Sequence, residues 1–297
     1  MKTILLTWGT WFLWSHIVED LSQKYHIIVL KRTHSDTSKI DAFSSRVDFC
    51  DIDATDLESL FSSKHIDIII HTATQYGRDY HNLSDIIESN VYLPMRLLDM
   101  GLRYHADAFI NTDTFWDENM DLPIGLKYYA LSKKDFLKYA HLAIEEHATM
   151  KFINLKIEHL YGPRDDKKKF LPYIISTLLS GKDKIPLTLW EQKRDFIYVK
   201  DAVSAYDRIL ENIDWLKNLI TEYDIGTGEV YSIRQILEKI QSMLWTSTIL
   251  DFGALDYRKW EVMEAKADIS GLSILWWEAG YSLEQWFVET IASMKTL

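Results

Sequence analysis

Short apolar runs alternate with longer amphipathic stretches along the first half of the chain, which is the pattern of strands and helices that follow one another in a parallel sheet. Six runs predict strands at Ile4–Leu6, Ile27–Leu30, Val47–Cys50, Ile66–Ile70, Ala108–Asn111 and Phe152–Lys156. The stretches between them predict helices at Ser15–Lys24, Leu57–Ser62, Ser84–Arg103 and Tyr129–Glu146. We therefore expect an α/β fold with a doubly wound parallel sheet.

The first predicted strand leads into a turn that is rich in tryptophan, TWGTWFLWSH from Thr7 to His16. With glycine for each tryptophan it would be TGGTGFLGSH, a dinucleotide-binding turn. There the glycines permit a tight turn, close approach of a pyrophosphate, and packing of the helix on the sheet. An indole at any of these places would fill the phosphate site or displace the helix. The turn still predicts a cofactor site at Trp8, Gly9, Thr10, Trp11, Phe12, Leu13 and Trp14.

A second candidate for chemistry is the pair Tyr129 and Lys133, which four-residue spacing places on one face of a helix. A cationic lysine lowers the pKa of a neighbouring phenol, which can then exchange a proton with a sugar carbonyl or hydroxyl near neutral pH. Alone, such a pair is usually a solvated surface feature. A hydroxyl at the end of the fifth strand could bond the same oxygen; spacing leaves both Thr112 and Thr114 open, and we favour Thr114.

Residues at other strand ends complete the predicted cofactor site. Arg32 follows the second strand, where an acidic residue would hold the ribose of NAD and an arginine suits the 2′-phosphate of NADP, so NADPH is favoured over NAD. Asp51 and Ile52 follow the third strand as candidate adenine contacts. The set also includes Thr72, Ala73 and Thr74, after the fourth strand.

The alternation stops after Gly162-Pro163, where a basic loop precedes further helices. This change predicts two domains. The dinucleotide-binding Rossmann domain would comprise residues 1–160 and about 190–218. A smaller α/β domain that binds the substrate would comprise residues from about 161 to 189 and from 219 to 297.

Composition excludes several classes of function. A net charge of −11 argues against a nucleic-acid partner, which needs a basic surface. The single cysteine, Cys50, allows no intramolecular disulfide and suits a reducing cytoplasm. No apolar run is long enough to span a membrane, and the histidines show no spacing of metal ligands. We expect a cytoplasmic protein with a small-molecule partner, no membrane or nucleic-acid partner, and no metal.

The ordered motifs resemble one family. After the N-terminal turn and the Tyr129/Lys133 pair come Leu160-Tyr161-Gly162-Pro163, Arg194-Asp195-Phe196-Ile197-Tyr198-Val199, Gly226-Thr227-Gly228 and Arg258-Lys259-Trp260-Glu261. Together they resemble the extended short-chain dehydrogenase/reductases of the NAD-dependent epimerase/dehydratase group, over essentially the whole chain. Four stretches are most similar to the CDP-abequose and CDP-paratose synthases: Ala73–Arg78, Phe109–Asp113, Lys156–Pro163 and Lys169–Ile175.

The resemblance implies reduction of the 4-keto group of a CDP-4-keto-3,6-dideoxyhexose by NADPH, for a sugar of the O-antigen. Tyr129 would donate the proton, Lys133 would hold the nicotinamide ribose, and Thr114 or Thr112 would orient the keto oxygen. Arg194 and Arg258 would bind the nucleotide diphosphate, and Phe170 completes the predicted substrate set. The family often forms a homodimer, here through the helices Ser84–Arg103 and Tyr129–Glu146.

Two rival functions stay open. A sugar 4-epimerase shares the same catalytic residues. A 4,6-dehydratase resembles a Thr-Asp-Glu pattern at the strand end, whereas this chain has Thr112-Asp113-Thr114 and lacks the glutamate.

The tryptophans raise a separate question, because the chain has eleven of them and only eleven glycines. Nine stand where the family tends to have glycine, or where glycine is plausible: Trp8, Trp11, Trp14, Trp116, Trp190, Trp245, Trp260, Trp276 and Trp286. One hypothesis is that the gene has UGA codons which its own cell reads as glycine, and which have been translated here as tryptophan. The other is a non-catalytic protein whose cofactor site the indoles block.

Overall fold

The computed structural model describes residues 1–7, 12–77, 83–117, 120–259 and 261–295. Its strands are β1 (Thr3–Thr7), β2 (His26–Lys31), β3 (Val47–Asp51), β4 (Ile68–His71), β5 (Ala108–Thr114), β6 (Lys151–Ile157), β7 (His159–Tyr161), β8 (Lys184–Leu187), β9 (Lys193–Arg194), β10 (Phe196–Tyr198), β11 (Ile220–Ile225), β12 (Tyr231–Ser232), β13 (Ile249–Phe252) and β14 (Glu264–Ala265). Its α-helices are α1 (Leu13–Leu21), α2 (Leu57–Ser63), α3 (Leu83–Ile87), α4 (Leu93–Arg103), α5 (Ile124–His147), α6 (Phe170–Leu179), α7 (Val199–Asn212), α8 (Ile233–Leu244), α9 (Ser270–Ile274) and α10 (Leu283–Lys295).

Seven strands form one sheet in the order β11-β6-β5-β4-β1-β2-β3. The pairs from β6 to β3 are parallel, and β1 lies between β2 and β4. The central strands are continuous apolar runs because both faces are covered by helices; Ile4, Leu5 and Leu6 are fully buried. The predicted doubly wound sheet is thereby confirmed.

Four local features differ from the sequence-based prediction. The helix expected at Ser84–Arg103 is interrupted by a π-helical turn at Glu88–Tyr92, between α3 and α4. The helix that carries Tyr129 begins earlier, at Ile124, directly after Pro123. A seventh strand, β11, pairs with the edge of the sheet, and a 3-10 helix spans Ser38–Arg46. Both were missed because their apolar patterns are short or irregular.

Residue contacts divide the chain into two compact units. The first comprises residues 1–157 and 203–223, and the second comprises residues 158–202 and 224–297. The predicted boundaries put residues 190–202 with the Rossmann domain, but they group with the second unit because β9 and β10 pair with strands there. Residues 219–223 group with the first unit because they belong to β11. It stays a prediction that the first unit binds the cofactor and that the second unit binds the substrate.

The second unit contains three small sheets. β7 pairs with β10 in parallel, β8 pairs with β13 in parallel, and β9 lies between β12 and β14. A capping box of Ser232 and Gln235 starts α8 by satisfying free backbone N–H groups. None of the helices described above combines the length and the apolar composition that a membrane span requires.

Backbone dihedral angles single out three tryptophans. Trp190, Trp245 and Trp276 have φ of 55°, 53° and 58°, in the left-handed region. Six non-glycine residues among those described have positive φ, and three of the six are these tryptophans. This region is costly for a bulky side chain and is normally occupied by glycine. All three belong to the nine positions at which the sequence led us to expect glycine.

Candidate active site

The carboxyl ends of β1 and β4 meet where the strand order reverses, which is where doubly wound sheets bind their ligands. Thr7, the last residue of β1, joins the two ends. Its hydroxyl oxygen accepts the N–H groups of Thr72 at 2.9 Å and Ala73 at 3.0 Å, and the Thr72 hydroxyl donates to the Thr7 carbonyl at 2.8 Å. The predicted cofactor residues Thr72 and Ala73 therefore lie beside the start of the tryptophan-rich turn.

The turn itself is described only in part. Trp8, Gly9, Thr10 and Trp11 lie outside the described residues. Phe12 and Leu13 are buried at the start of α1, and Trp14, in its first turn, is only 1% exposed. An indole thus occupies interior volume at the place where the fingerprint glycine lets helix and sheet approach closely.

Arg32, Asp51 and Ile52 lie at the carboxyl ends of β2 and β3. The Ile52 N–H donates to the Lys31 carbonyl at 2.8 Å, which holds the two ends together. The Lys31 ammonium lies 3.9 Å from Asp51, and Arg32 is exposed. A basic rather than an acidic side chain therefore follows β2, at the position that reads the ribose in this fold.

Asn90 was not predicted from the sequence, yet it links two parts of the site. It is fully buried in the π-helical turn, where its side chain pairs with both backbone groups of Gln75, at 2.8 and 3.0 Å. Its amide also donates to the Ser132 hydroxyl at 2.9 Å, and that hydroxyl donates to the Tyr129 carbonyl at 2.8 Å. A π-helical turn is a common mark of a functional site, and only the structure reveals it here.

Tyr129 is 5% exposed and lies on α5 with its hydroxyl hydrogen-bonded to the side chains of Thr114 and Thr74. Its ring centroid is 5.1 Å from that of Tyr76. Burial raises the pKa of Tyr129 above its ordinary value, so the lowering that we expected from Lys133 is not found. The phenol is thus held in its protonated form, ready to donate a hydrogen bond.

Lys133 is 2% exposed, and its ammonium donates to the Thr112 carbonyl at 2.9 Å. Burial lowers the pKa of Lys133 to about 8, and Asp113 opposes this shift. The two threonines that the spacing left open have different partners in the structure. Thr114 bonds Tyr129, whereas the Thr112 hydroxyl lies 2.6 Å from the Tyr206 hydroxyl. Thr112 therefore contributes its carbonyl to Lys133, and Thr114 its hydroxyl to Tyr129.

The second unit contains both arginines that were predicted to bind phosphate. Arg194 is 4% exposed and donates to the Glu261 carboxylate at 2.8 Å. The backbone N–H of Glu261 in turn donates to the Arg258 carbonyl at 3.1 Å, so both arginines adjoin one turn. Phe170, the third predicted substrate residue, stacks on Trp190 with ring centroids 4.8 Å apart. Glu261 was not predicted as a partner of Arg194.

The strand that carries Arg194 is fixed by its neighbour Asp195, which is fully buried. The Asp195 carboxylate accepts the N–H groups of Thr227 and Gly228, both at 2.8 Å, and the Thr227 hydroxyl at 2.7 Å. A Cβ on Gly226 would lie 2.7 Å from this carboxylate and 2.5 Å from the Ala267 Cβ. The Gly-Thr-Gly motif is therefore required by close packing.

Another carboxyl group that the sequence did not reveal lies next to this strand. The Glu158 side chain is 7% exposed, with an oxygen 3.5 Å from Nδ1 of His159. Burial, together with Asp195 and Asp224, raises the pKa of Glu158 to about 8. Across the described ranges, no three His, Cys, Asp or Glu side chains are grouped as metal ligands.

Comparison with known proteins identifies the family. A model of the NAD dependent epimerase/dehydratase family matches residues 4–226. The CDP-abequose synthase of Salmonella muenchen is 35% identical over 99% of this chain and 98% of its own length. A putative UDP-glucose 4-epimerase of Methanocaldococcus jannaschii is 26% identical over 98% of both chains. A crystal structure of UDP-glucuronic acid 4-epimerase from Bacillus cereus, with UDP-glucuronic acid and NAD, has a TM-score of 0.84 at 24% identity and covers 99% of each chain.

The strand order and the likeness to this solved structure define the class of doubly wound, Rossmann-like α/β proteins. Within that class, the chain belongs to the NAD dependent epimerase/dehydratase family, as its motifs predicted.

Proposed function

We propose that this chain is an NADPH-dependent reductase of the 4-keto group of a CDP-4-keto-3,6-dideoxyhexose. The observation that carries the proposal is Thr114, which bonds Tyr129 at the place where a 4,6-dehydratase would have a glutamate. Similarity over the full chain to a protein named CDP-abequose synthase supports the same choice. The cytoplasmic location inferred from composition stays a prediction.

Apart from Trp14, the described residues at the strand ends fit a dinucleotide. Thr72, Ala73, Arg32 and Asp51 adjoin the carboxyl ends of β1 to β3, and the Lys133 ammonium has three donors, of which the Thr112 carbonyl takes one. Trp14 does not fit the fingerprint. Arg32 favours the 2′-phosphate of NADPH, and we expect Arg32→Glu to weaken binding of NADPH more than that of NADH.

The roles of the residues follow from their bonds. When bound, the nicotinamide cofactor supplies the hydride. The protonated Tyr129 hydroxyl donates its proton to the sugar oxygen, and Thr114 holds that oxygen by a second hydrogen bond. Lys133, as a cation, stabilises the tyrosinate that the transfer leaves behind. Arg194 and Arg258 bind the diphosphate, for which a guanidinium offers paired donors.

Homodimer formation is the remaining part of the proposal. Leu131, Tyr139 and Leu142 on α5 are 40%, 55% and 64% exposed, and Tyr92, just before α4, is 52% exposed. Apolar side chains this exposed on adjacent helices suit a helix-to-helix interface. Sedimentation of the protein, and of a Leu142→Lys variant, would show whether a dimer forms and depends on this face.

Deuterated NADPH separates the candidate reactions. The protein is incubated with NADPH carrying deuterium at the transferred position and with CDP-4-keto-3,6-dideoxyglucose. A reductase consumes NADPH and places deuterium on the sugar at C4. Interconversion of two nucleotide sugars without net NADPH consumption would instead show a 4-epimerase. Loss of water from a 6-hydroxy nucleotide sugar would show a dehydratase.

A further inference from the structure

Tyr76 lies beside the predicted proton donor, in the loop that follows β4. Its ring centroid is 5.1 Å from that of Tyr129, and the two ring planes are inclined at 45°. This separation is that of a packed aromatic pair. Tyr129 is 5% exposed, whereas Tyr76 is only partly buried, so we expect a ligand that reaches the Tyr129 hydroxyl to meet Tyr76 as well.

The π-helical turn holds this loop on one side. The Asn90 side-chain oxygen accepts the Gln75 N–H at 2.8 Å, and the Asn90 amide donates to the Gln75 carbonyl at 3.0 Å. The Thr74 hydroxyl donates to the same Asn90 oxygen at 3.3 Å. Because Asn90 is fully buried, these bonds are shielded from water, and they fix the backbone directly before Tyr76.

Gly77 fixes the backbone directly after Tyr76. Its φ of 63° lies in the left-handed region, which glycine adopts without strain. A Cβ at this position would lie 2.9 Å from the Gly125 carbonyl oxygen on α5 and 2.9 Å from Cδ1 of Ile86 on α3. The loop therefore packs tightly on the helix that carries Tyr129, and the Tyr76 ring has a defined place beside the Tyr129 ring.

The chemistry of the proposed substrate suits an aromatic ring at this place. Tyr129 would protonate the oxygen at C4, so a group that touches the Tyr129 ring faces the carbons next to C4. In a 3,6-dideoxyhexose these are a CH₂ group at C3 and, at C5, a carbon that carries the C6 methyl group, and apolar contact is favourable for both. A hydroxyl group at C3 or C6 would instead lose its water against the ring, which is costly unless the hydroxyl finds another hydrogen-bond partner.

We propose that Tyr76 is a specificity-determining residue whose ring selects a hexose without hydroxyl groups at C3 and C6. The inference rests on the proposed function, because it takes Tyr129 as the residue that reaches the C4 oxygen. It goes further in one respect: the preference for a doubly deoxygenated sugar comes from a single side chain, held in place by Asn90 and Gly77.

Binding of three stable nucleotide sugars tests the proposal without turnover. The probes are CDP-3,6-dideoxyglucose, CDP-6-deoxyglucose, which has the C3 hydroxyl, and CDP-3-deoxyglucose, which has the C6 hydroxyl. In calorimetry the unaltered chain should prefer the dideoxy sugar over at least one of the others by about 10²-fold, since an apolar pocket rejects an added hydroxyl group by roughly this factor. In Tyr76→Ala that preference should fall by about tenfold or more. An unchanged preference in this variant, or no preference in the unaltered chain, would overturn the proposal.

Tyr76→Phe is the matched control, because it keeps the ring and removes the hydroxyl group, and it should retain the preference of the unaltered chain. Loss of the preference in Tyr76→Phe would assign it to the hydroxyl group and contradict the proposal. If Tyr76→Ala does not fold, Tyr76→Gln gives an independent reading. A glutamine offers a donor and an acceptor to a sugar hydroxyl, so the preference for the dideoxy sugar should fall, and an unchanged ratio of affinities would count against the proposal.

Turnover separates a failure of this inference from a failure of the proposed function. With NADPH and the 4-keto forms of the same sugars, kcat/KM should show the same loss of preference in Tyr76→Ala. If no form of the protein reduces any of these sugars but Tyr76→Ala still loses its preference in binding, the reductase assignment fails while the role of Tyr76 stands. If the unaltered chain reduces the dideoxy sugar and Tyr76→Ala keeps the full preference in both measurements, the reductase assignment stands and the inference fails.

Discussion

The two ends of the candidate site differ sharply in how well they suit their task. At the carboxyl end of β5, Thr114, Tyr129 and Lys133 are buried; Thr114 bonds Tyr129, and Lys133 donates to the Thr112 carbonyl. At the carboxyl end of β1, the residues that should be small are Trp8, Trp11 and Trp14. A protein that had lost its cofactor would have little reason to keep the first region intact. The contrast therefore points to the identity of the residues at the turn rather than to loss of function.

The backbone of the second unit supports the same conclusion. Trp190, Trp245 and Trp276 adopt the conformation of glycine although they do not belong to the N-terminal turn. A blocked cofactor site would explain tryptophan at the turn but not at these three positions. Reading of UGA codons as glycine explains both sets at once. Sequencing of the gene tests this hypothesis, because UGG codons at these positions would contradict the recoding.

The largest expected effect is the loss of turnover in Tyr129→Phe. Removal of the proton donor should reduce kcat by about 10²–10⁴-fold, while NADPH affinity changes little because the aromatic ring and its contact with Tyr76 are kept. Rates of NADPH oxidation with the CDP-4-keto sugar, and NADPH binding by calorimetry, measure the two properties separately. Full activity in this variant would remove Tyr129 from the mechanism and make the β5 region no more functional than the turn.

The positions of Tyr129 and Lys133 on one helix could be predicted from the sequence because they lie on a regular element, whereas their role in catalysis stays a prediction. The alternation of apolar runs predicted the sheet, and four-residue spacing placed Tyr129 and Lys133 on one helix face. What the sequence could not supply depends on contacts between distant segments. Asn90, in a π-helical turn, bonds Gln75 and Ser132. The buried Asp195 accepts hydrogen bonds from Thr227, which lies 32 residues further along the chain.

The predicted lowering of the Tyr129 pKa was wrong for a related reason. The argument from spacing considered only the neighbouring lysine and its charge. In the folded chain, burial is the largest influence on the phenol and raises its pKa, an effect that no local pattern reveals. The difference between the contacts of Thr112 and Thr114 likewise depends on a distant residue, Tyr206, which bonds the Thr112 hydroxyl.

The second prediction concerns the turn. We expect the chain with glycine at positions 8, 11 and 14 to bind NADPH, and the chain with three tryptophans to bind it weakly or not at all, because indoles at the fingerprint positions would take the space that the pyrophosphate and the helix need. Titration calorimetry of the two proteins side by side is the measurement. Tight binding by the tryptophan form would show that the turn accommodates indoles, and absence of binding by both would favour a non-catalytic protein.

The smallest effect, on stability, tests the recoding away from the cofactor site. Trp245 and Trp276 are 94% and 88% exposed, so replacement by glycine forfeits little packing. Glycine removes the cost of about 1–2 kcal/mol that a bulky residue has in the left-handed conformation. The greater conformational freedom of glycine in the unfolded chain reduces this gain in stability by about 0.5–1 kcal/mol. Each of Trp245→Gly and Trp276→Gly should therefore raise the free energy of unfolding by roughly 1 kcal/mol in denaturant titrations.

Trp215 provides the matched control, since it is 81% exposed but lies in a 3-10 helix, outside the left-handed region. Trp215→Gly should lower the free energy of unfolding by up to about 1 kcal/mol, because glycine gains no relief there and brings its entropy cost. Changes of opposite sign in the free energy of unfolding, at tryptophans of similar exposure, would show that the backbone conformation at positions 245 and 276 favours glycine. The same sign at all three positions would remove the structural support for recoding and leave only the pattern in the sequence.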